Sequence, residues 1–142
     1  MTASEWAETK AAILAFKDEN IAGGMTDFEK EMKIIQWLSE NCVYEQSEDW
    51  TMATAYSCII SGKAMCDGYA DAFLQTAKLC GLTVKFVERP GHSFNAIKLD
   101  SHWYWVDVTF ADKEHAGNSV PGGSATGSIP VGATFIECGA VN

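Results

Sequence analysis

The sequence predicts an α+β protein in which several helices precede an antiparallel sheet. Apolar residues recur at helical spacing up to about residue 80, and from residue 83 they give way to segments rich in valine, isoleucine and aromatic residues. The last two of these segments are separated only by Asp100 and Ser101, which is typical of a tight hairpin. Helices followed by paired strands favour an α+β fold over a parallel α/β arrangement.

The first two helices are indicated by their apolar faces and by one start signal. Residues 4–19 place their apolar side chains mostly on one side of a helix. Thr26 and Glu29 have the spacing of a capping box, in which each side chain bonds to the backbone N–H of the other residue. A second helix is therefore expected to start there and to end close to Asn41.

The middle of the chain contains a polar segment followed by two further helical patterns. Residues 43–50 are polar and are expected to form a loop, whereas residues 51–61 look helical again. The next helix is expected to begin near Cys66, because apolar residues recur every three or four positions after it. Gly81 lies where a C-terminal glycine cap belongs, so this helix should end just before it.

Strand patterns follow this helix at once. They cover residues 83–88, 93–99 and 102–110, each rich in β-branched and aromatic side chains. Residues 116–132 are rich in glycine and serine and predict a long loop or strand connector, and residues 134–136 are a candidate for a last strand. With no internal repeat, the expected organisation is one domain over residues 1–142.

Composition restricts the partners and the location. A net charge of −9 on 142 residues makes nucleic acid and anionic membrane surfaces unfavourable partners. No apolar run approaches the ~20 residues of a membrane span, and residues 1–20 do not resemble a signal peptide. The expected location is therefore the cytoplasm or, for a mature domain of a longer protein, the exterior. No pattern indicates an oligomeric state.

Cys66 differs from the other cysteines in its context. Cys42, Cys58 and Cys80 are expected to be small buried residues, because free cysteine is usually buried. Together with Cys138 they include no C-x-x-C pair and no zinc-ligand spacing to a histidine, so a metal site is not expected. Residues 62–70 read GKAMCDGYA, which predicts a tight turn that delivers Cys66 to the first turn of a helix. Unpaired N–H groups at that end favour a thiolate.

His92 and Asp107 are predicted to meet across the hairpin. If Asp100 and Ser101 form a two-residue turn, opposed positions sum to 201, and His92 then lies on the same face of the sheet as Asp107, as its diagonal neighbour. Trp105 shares that face, and the Cys66 helix is expected to cover it. Nucleophile, base and orienting carboxylate would then be Cys66, His92 and Asp107.

Three blocks of residues resemble the signature blocks of the transglutaminase-like superfamily, which belongs to the wider papain-like group. The blocks are Gly62-x-x-x-Cys66-x-Gly68-Tyr69-Ala70, His92-x-Phe94-Asn95 and Trp103-Tyr104-x-x-Asp107-Val108-Thr109-x-x-Asp112. The resemblance covers about residues 25–112 and is to a domain of the bacterial type. It departs at Phe94, where many members have tryptophan, and it does not extend through residues 113–142.

The resemblance implies thiol-dependent acyl transfer on an amide of a protein or peptide, through a thioester on Cys66. Cysteine peptidase or amidohydrolase activity is the first expectation. Protein-glutamine transamidation is the alternative, and a non-catalytic protein-binding domain on the same fold is a further one. No metal or organic cofactor is expected. The Cys66 backbone N–H is the expected oxyanion donor, and Trp50 and Tyr56 are candidates for a second donor.

Overall fold

The computed structural model describes residues 1–111 and 128–130. The first helix, α1, spans Ala3–Asn20, and the second, α2, spans Asp27–Asn41. The predicted capping box of α2 is present: the Thr26 hydroxyl accepts from the Glu29 N–H at 3.1 Å, and the Thr26 N–H donates to Glu29 at 3.0 Å. Both helices follow the bounds expected from the sequence.

The segment between α2 and the Cys66 helix is less regular than the sequence predicts. Two short strands, β1 (Val43–Tyr44) and β2 (Lys63–Ala64), pair in parallel. Between them lie a 3-10 helix at Trp50–Ala53 and a π-helix at Ser57–Ser61. The loop expected at residues 43–50 therefore begins with a strand, and the helix expected at 51–61 is broken where Thr54 is extended (φ −121°, ψ 158°).

The third helix, α3, spans Cys66–Leu79 and begins and ends as predicted. Gly81 adopts a φ of +84°, and the backbone N–H of Leu82 donates to the Ala77 carbonyl at 2.9 Å. This is the geometry of a glycine-terminated helix, in which the left-handed residue reverses the chain and the last carbonyls find donors. The chain enters the sheet directly afterwards.

Within the described residues, the main sheet contains four strands in the order β3-β4-β5-β6, with antiparallel neighbours. The strands are β3 (Val84–Arg89), β4 (His92–Leu99), β5 (His102–Val106) and β6 (Ser128–Pro130). Leu99 opposes His102, so the predicted two-residue turn and its register are confirmed. Asp100 and Ser101 both have positive φ, 49° and 69°, as a type I′ turn requires.

Two strand predictions need correction. The strand expected at residues 102–110 stops at Val106, after which a short helix, α4, spans Val108–Ala111. Within the region expected to be loop at 116–132, the three residues of β6 pair with β5. The candidate strand at 134–136 and Cys138 lie outside the described residues.

The expectation that the Cys66 helix covers the Trp105 face of the sheet is wrong. The main core contains apolar residues of α2 and α3 together with Ile97, Leu99 and Val106. Trp105 belongs instead to a second buried cluster, which consists of Val87, Phe94, Ala96 and Trp105, with Trp103 packed against it. The hairpin register determines which residues share a face, but it does not determine which face the helix covers. That choice follows from the aliphatic side chains facing α3.

Candidate active site

Cys66 is the first helical residue of α3 and is partly exposed. Met65 precedes it in extended geometry (φ −81°, ψ 178°), and the Met65 N–H donates to the Met52 carbonyl at 3.0 Å. This bond fixes the approach of the chain to the helix. The first N–H groups of a helix have no acceptor within it, so Cys66 lies at the electropositive end of α3.

Gly68 is required by close packing rather than by an unusual φ. A Cβ built on it would lie 2.6 Å from the Met52 carbonyl oxygen, 2.6 Å from the Ala64 Cβ and 3.2 Å from the Thr54 oxygen. The residue two positions after Cys66 must therefore lack a side chain for residues 52–54 to lie against α3. This contact explains one glycine of the sequence motif physically.

His92 is the first residue of β4 and follows the turn at Pro90 and Gly91, where Gly91 has a φ of +80°. Its ring stacks on Phe94 with centroids 5.5 Å apart and an interplanar angle of 18°. Phe94 in turn packs edge-on against Trp105 at 5.3 Å. The second buried cluster, which contains Phe94 and Trp105, therefore supports the imidazole from the side of the sheet.

Asp107 follows the last residue of β5 and is 5% exposed. Its Oδ2 lies 2.6 Å from Nε2 of His92, so the predicted contact between the two side chains is present. Asp107 reaches His92 because the chain leaves the sheet after Val106. The carboxylate therefore lies beyond the end of the ladder rather than in it.

The Cys66 side chain lies close enough to the imidazole for its hydrogen-bonding and charge to act on the pKa of His92. Because Nε2 contacts Asp107, Nδ1 is the nitrogen left for the sulfur. Burial lowers the pKa of His92, but the hydrogen bonds and charges of Asp107 and Cys66 outweigh it and raise the pKa to about 9. The structure therefore brings together all three residues selected from the sequence, with the ring between sulfur and carboxylate.

A cleft of about 670 Å³ opens at this point, lined by residues from segments 44–50, 65–67 and 88–93. Cys66 and His92 both line it. So does Trp50, one of the two second oxyanion donors considered, and its side chain is 76% exposed. Tyr56, the other candidate, lines a neighbouring cavity of about 360 Å³ that shares Trp50 with the cleft.

Tyr44 and Gln46 line the same cleft, and sequence reasoning gave neither of them a site role. The Tyr44 hydroxyl donates to Oε1 of Gln46 at 2.5 Å. Burial raises the pKa of the Tyr44 phenol, and negative charge on Cys66 and Asp67 raises it further. In the sequence, Tyr44 stands out only as an aromatic residue in a polar segment. Its place at the cleft depends on the short pairing of β1 with β2, which the sequence does not predict.

Two features are absent from the part of the chain that the structure describes. It contains no group of three or more histidine, cysteine or acidic residues placed to hold a metal ion. None of its helices combines the length and apolarity needed to cross a membrane.

Helices packed on an antiparallel sheet, with a cysteine at a helix start facing a histidine on a strand, define the papain-like class of folds. The chain matches the transglutaminase-like superfamily over residues 15–116 and belongs to it. No curated protein sequence matches the chain.

Two solved structures share the fold. One is a crystal structure of a TGase, with a TM-score of 0.62 and 16% identity over 77% of this chain and 33% of that one. The other is a proposed cysteine protease from Cytophaga hutchinsonii, with a TM-score of 0.57 and 12% identity over 87% of this chain and 41% of that one. The chain therefore spans less than half the length of either.

Proposed function

We propose that the chain catalyses cysteine-dependent acyl transfer on amide bonds of proteins or peptides, with hydrolysis as the outcome. The observation that carries this proposal is the position of the His92 ring between Asp107 and Cys66, together with its raised pKa of about 9. A ring that stays protonated near neutral pH favours a thiolate partner and holds a proton for the leaving amine. A purely structural histidine needs neither contact.

In the first half of the reaction, the Cys66 sulfur attacks the amide carbonyl carbon and the carbonyl electrons move to oxygen. The backbone N–H of Cys66 donates to this oxyanion, an interaction worth about 3 kcal/mol per donor in acyl-transfer enzymes. The C–N bond then breaks, and His92 gives its proton to the departing nitrogen. The products are a free amine and a thioester on Cys66, with Asp107 keeping the ring oriented.

In the second half, neutral His92 takes a proton from the acceptor as the acceptor attacks the thioester carbonyl. Cys66 leaves as the thiolate, the ring is protonated again, and the acyl group departs. Water is the acceptor that the cleft favours, because Cys66 is partly exposed and the lining side chains of Glu48, Trp50 and Glu88 are exposed. The proposed activity is therefore that of a cysteine peptidase or amidohydrolase.

The test is incubation of the chain with a peptide library and a labelled primary amine, read by mass spectrometry, with C66A as the control. Cleaved peptides or deamidated glutamine, absent from the control, would support hydrolysis. Amine adducts in place of these products would replace hydrolysis by transamidation. An unchanged library would refute the enzymatic proposal and leave a protein-binding domain.

A further inference from the structure

The start of α3 and the start of β4 are joined by a side-chain hydrogen bond that the acyl-transfer steps do not use. The Ser93 hydroxyl donates to Oδ1 of Asp67. Asp67 follows Cys66 in the chain, and Ser93 follows His92. The bond therefore links the immediate neighbours of the two reacting residues, and Ser93 is only 5% exposed.

A further side-chain bond between these two elements lies deeper in the molecule. Nδ2 of Asn95 donates to the Ala70 carbonyl at 3.0 Å, with Asn95 fully buried. Asn95 is two residues beyond Ser93 and points from the same face of β4. Besides the Cys66–His92 pair itself, these two polar contacts align α3 with the strand, and the Asp67–Ser93 contact lies at the cleft.

We propose that Asp67 and Ser93 are a positioning pair, which holds the first turn of α3 against β4 so that the Cys66 sulfur stays within reach of the His92 ring. This inference rests on the proposed function, because it assigns the pair a role through those two groups. Displacements of about 1 Å between reacting groups commonly cost about a hundredfold in rate. A bond one residue away from each group is well placed to prevent such displacements.

The charge of Asp67 and its hydrogen bond to Ser93 are expected to act in opposite directions on the reactivity of Cys66. A carboxylate next to a nucleophilic sulfur disfavours the thiolate by repulsion, although it also stabilises the positive end of α3. Positioning and charge can therefore be separated by substitution. D67N keeps an oxygen that accepts from Ser93 and removes the charge. D67A removes both, and S93A removes the bond while the charge stays.

The test measures the rate of Cys66 alkylation by iodoacetamide in the full chain, from about pH 5 to about pH 10, with the modified peptide identified by mass spectrometry. Positioning predicts that S93A and D67A slow the reaction near neutral pH by about ten- to a hundredfold. D67N is expected to react at the wild-type rate or faster. The D67A/S93A double variant should react no more slowly than S93A alone, because both substitutions remove the same hydrogen bond.

The matched control is D71N on the same helix. Asp71 lies one turn beyond Asp67, and its carboxylate accepts from the Ala55 N–H at 2.7 Å. It also ties α3 to a neighbouring segment, but it does not line the cleft. D71N is expected to leave the alkylation profile unchanged. Thermal midpoints of all variants show that each is folded at the assay temperature.

The positioning role would be overturned if Cys66 in S93A were alkylated at the wild-type rate, or if the rate in D67N were as low as that in D67A. H92A separates this failure from failure of the proposed function. If H92A slows alkylation and S93A does not, only the positioning pair is wrong. If H92A also reacts like wild type, the Cys66–His92 pairing itself is wrong.

Discussion

The two cysteines at opposite ends of α3 are chemically alike and placed very differently. Cys66 begins the helix, is partly exposed on the cleft and contacts His92. Cys80 follows the last turn and is 3% exposed. Burial raises the pKa of the Cys80 thiol, against a smaller lowering by Lys17 and Lys30. One helix therefore presents one thiol to solvent and a base, and buries the other.

The difference shows that position along the helix, not residue type, determines what each thiol can do. The N-terminal end of a helix favours an anion, and the C-terminal end disfavours one. The backbone N–H of Cys80 donates to the carbonyls of Thr76 and Ala77 at 3.0 and 3.1 Å, which closes the helix. Cys80 has a packing role, and Cys66 has the proposed chemical role.

The largest expected effect is the loss of turnover when Cys66 is replaced by alanine, compared with the same replacement of Cys80. C66A should lower turnover by about 10⁴-fold or more, because the nucleophile is lost, and its thermal midpoint should stay near that of wild type. C80A should retain turnover and lose about 1 kcal/mol of unfolding free energy through lost contacts. Product formation and thermal melts measure both. A C66A protein that keeps its activity would refute the comparison.

His92 should be next in effect. H92A should slow turnover by about a thousandfold and slow Cys66 alkylation near neutral pH, because the sulfur loses its proton acceptor. H102A is the matched control, since His102 lies beside the exposed turn between β4 and β5. The measurement is the rate of Cys66 alkylation, followed by mass spectrometry. Equal rates in H92A and wild type would count against the pairing of Cys66 with His92.

The pH dependence should be smaller but directional. The pKa of His92 is raised from 6.5 to about 9, so its protonated ring stabilises the fold fully below pH 6.5. This stabilisation is lost as the pH rises through about 9, and turnover should fall in the same range, because the leaving amine then lacks a proton donor. Turnover and denaturant midpoints measured across that range test both statements. A turnover that rises steadily above pH 9 would contradict them.

Glycines at the two ends of α3 give the smallest effect. G68A should cost about 1–3 kcal/mol of stability by overpacking and slow Cys66 alkylation several-fold, because residues 52–54 must move. G81A should also destabilise, by about 1–2 kcal/mol, since Gly81 has a φ of +84°. Its alkylation profile should stay that of wild type, because the strain lies at the Cys80 end. Equal profiles for the two variants would contradict this distinction.

Local signals predicted the helices α1, α2 and α3, the hairpin and the contact between His92 and Asp107. The capping box of Thr26 and Glu29, the glycine after α3 and the two-residue turn each act within a few residues. The turn then fixes the register of β4 on β5, and Asp107, directly after the end of β5, comes close enough to contact His92. A chain of short-range rules therefore reached a contact between residues 15 positions apart.

Contacts that depend on how elements pack could not be predicted in this way. The strands Val43–Tyr44 and Lys63–Ala64 are too short to show a periodic pattern. They form only because the fold brings these two segments side by side, where they pair. The covered face of the sheet and the end of β5 depend likewise on tertiary packing. The Asp67–Ser93 bond joins positions 26 apart with no sequence signal of its own.

Titration of the His92 imidazole by NMR tests the central claim most directly, namely that the ring lies between a sulfur and a carboxylate. The expected midpoint is about 9 in the wild-type chain, and it should be clearly lower in both D107N and C66A. A ring that titrates near 6.5 in the wild type and does not respond to either substitution would contradict it.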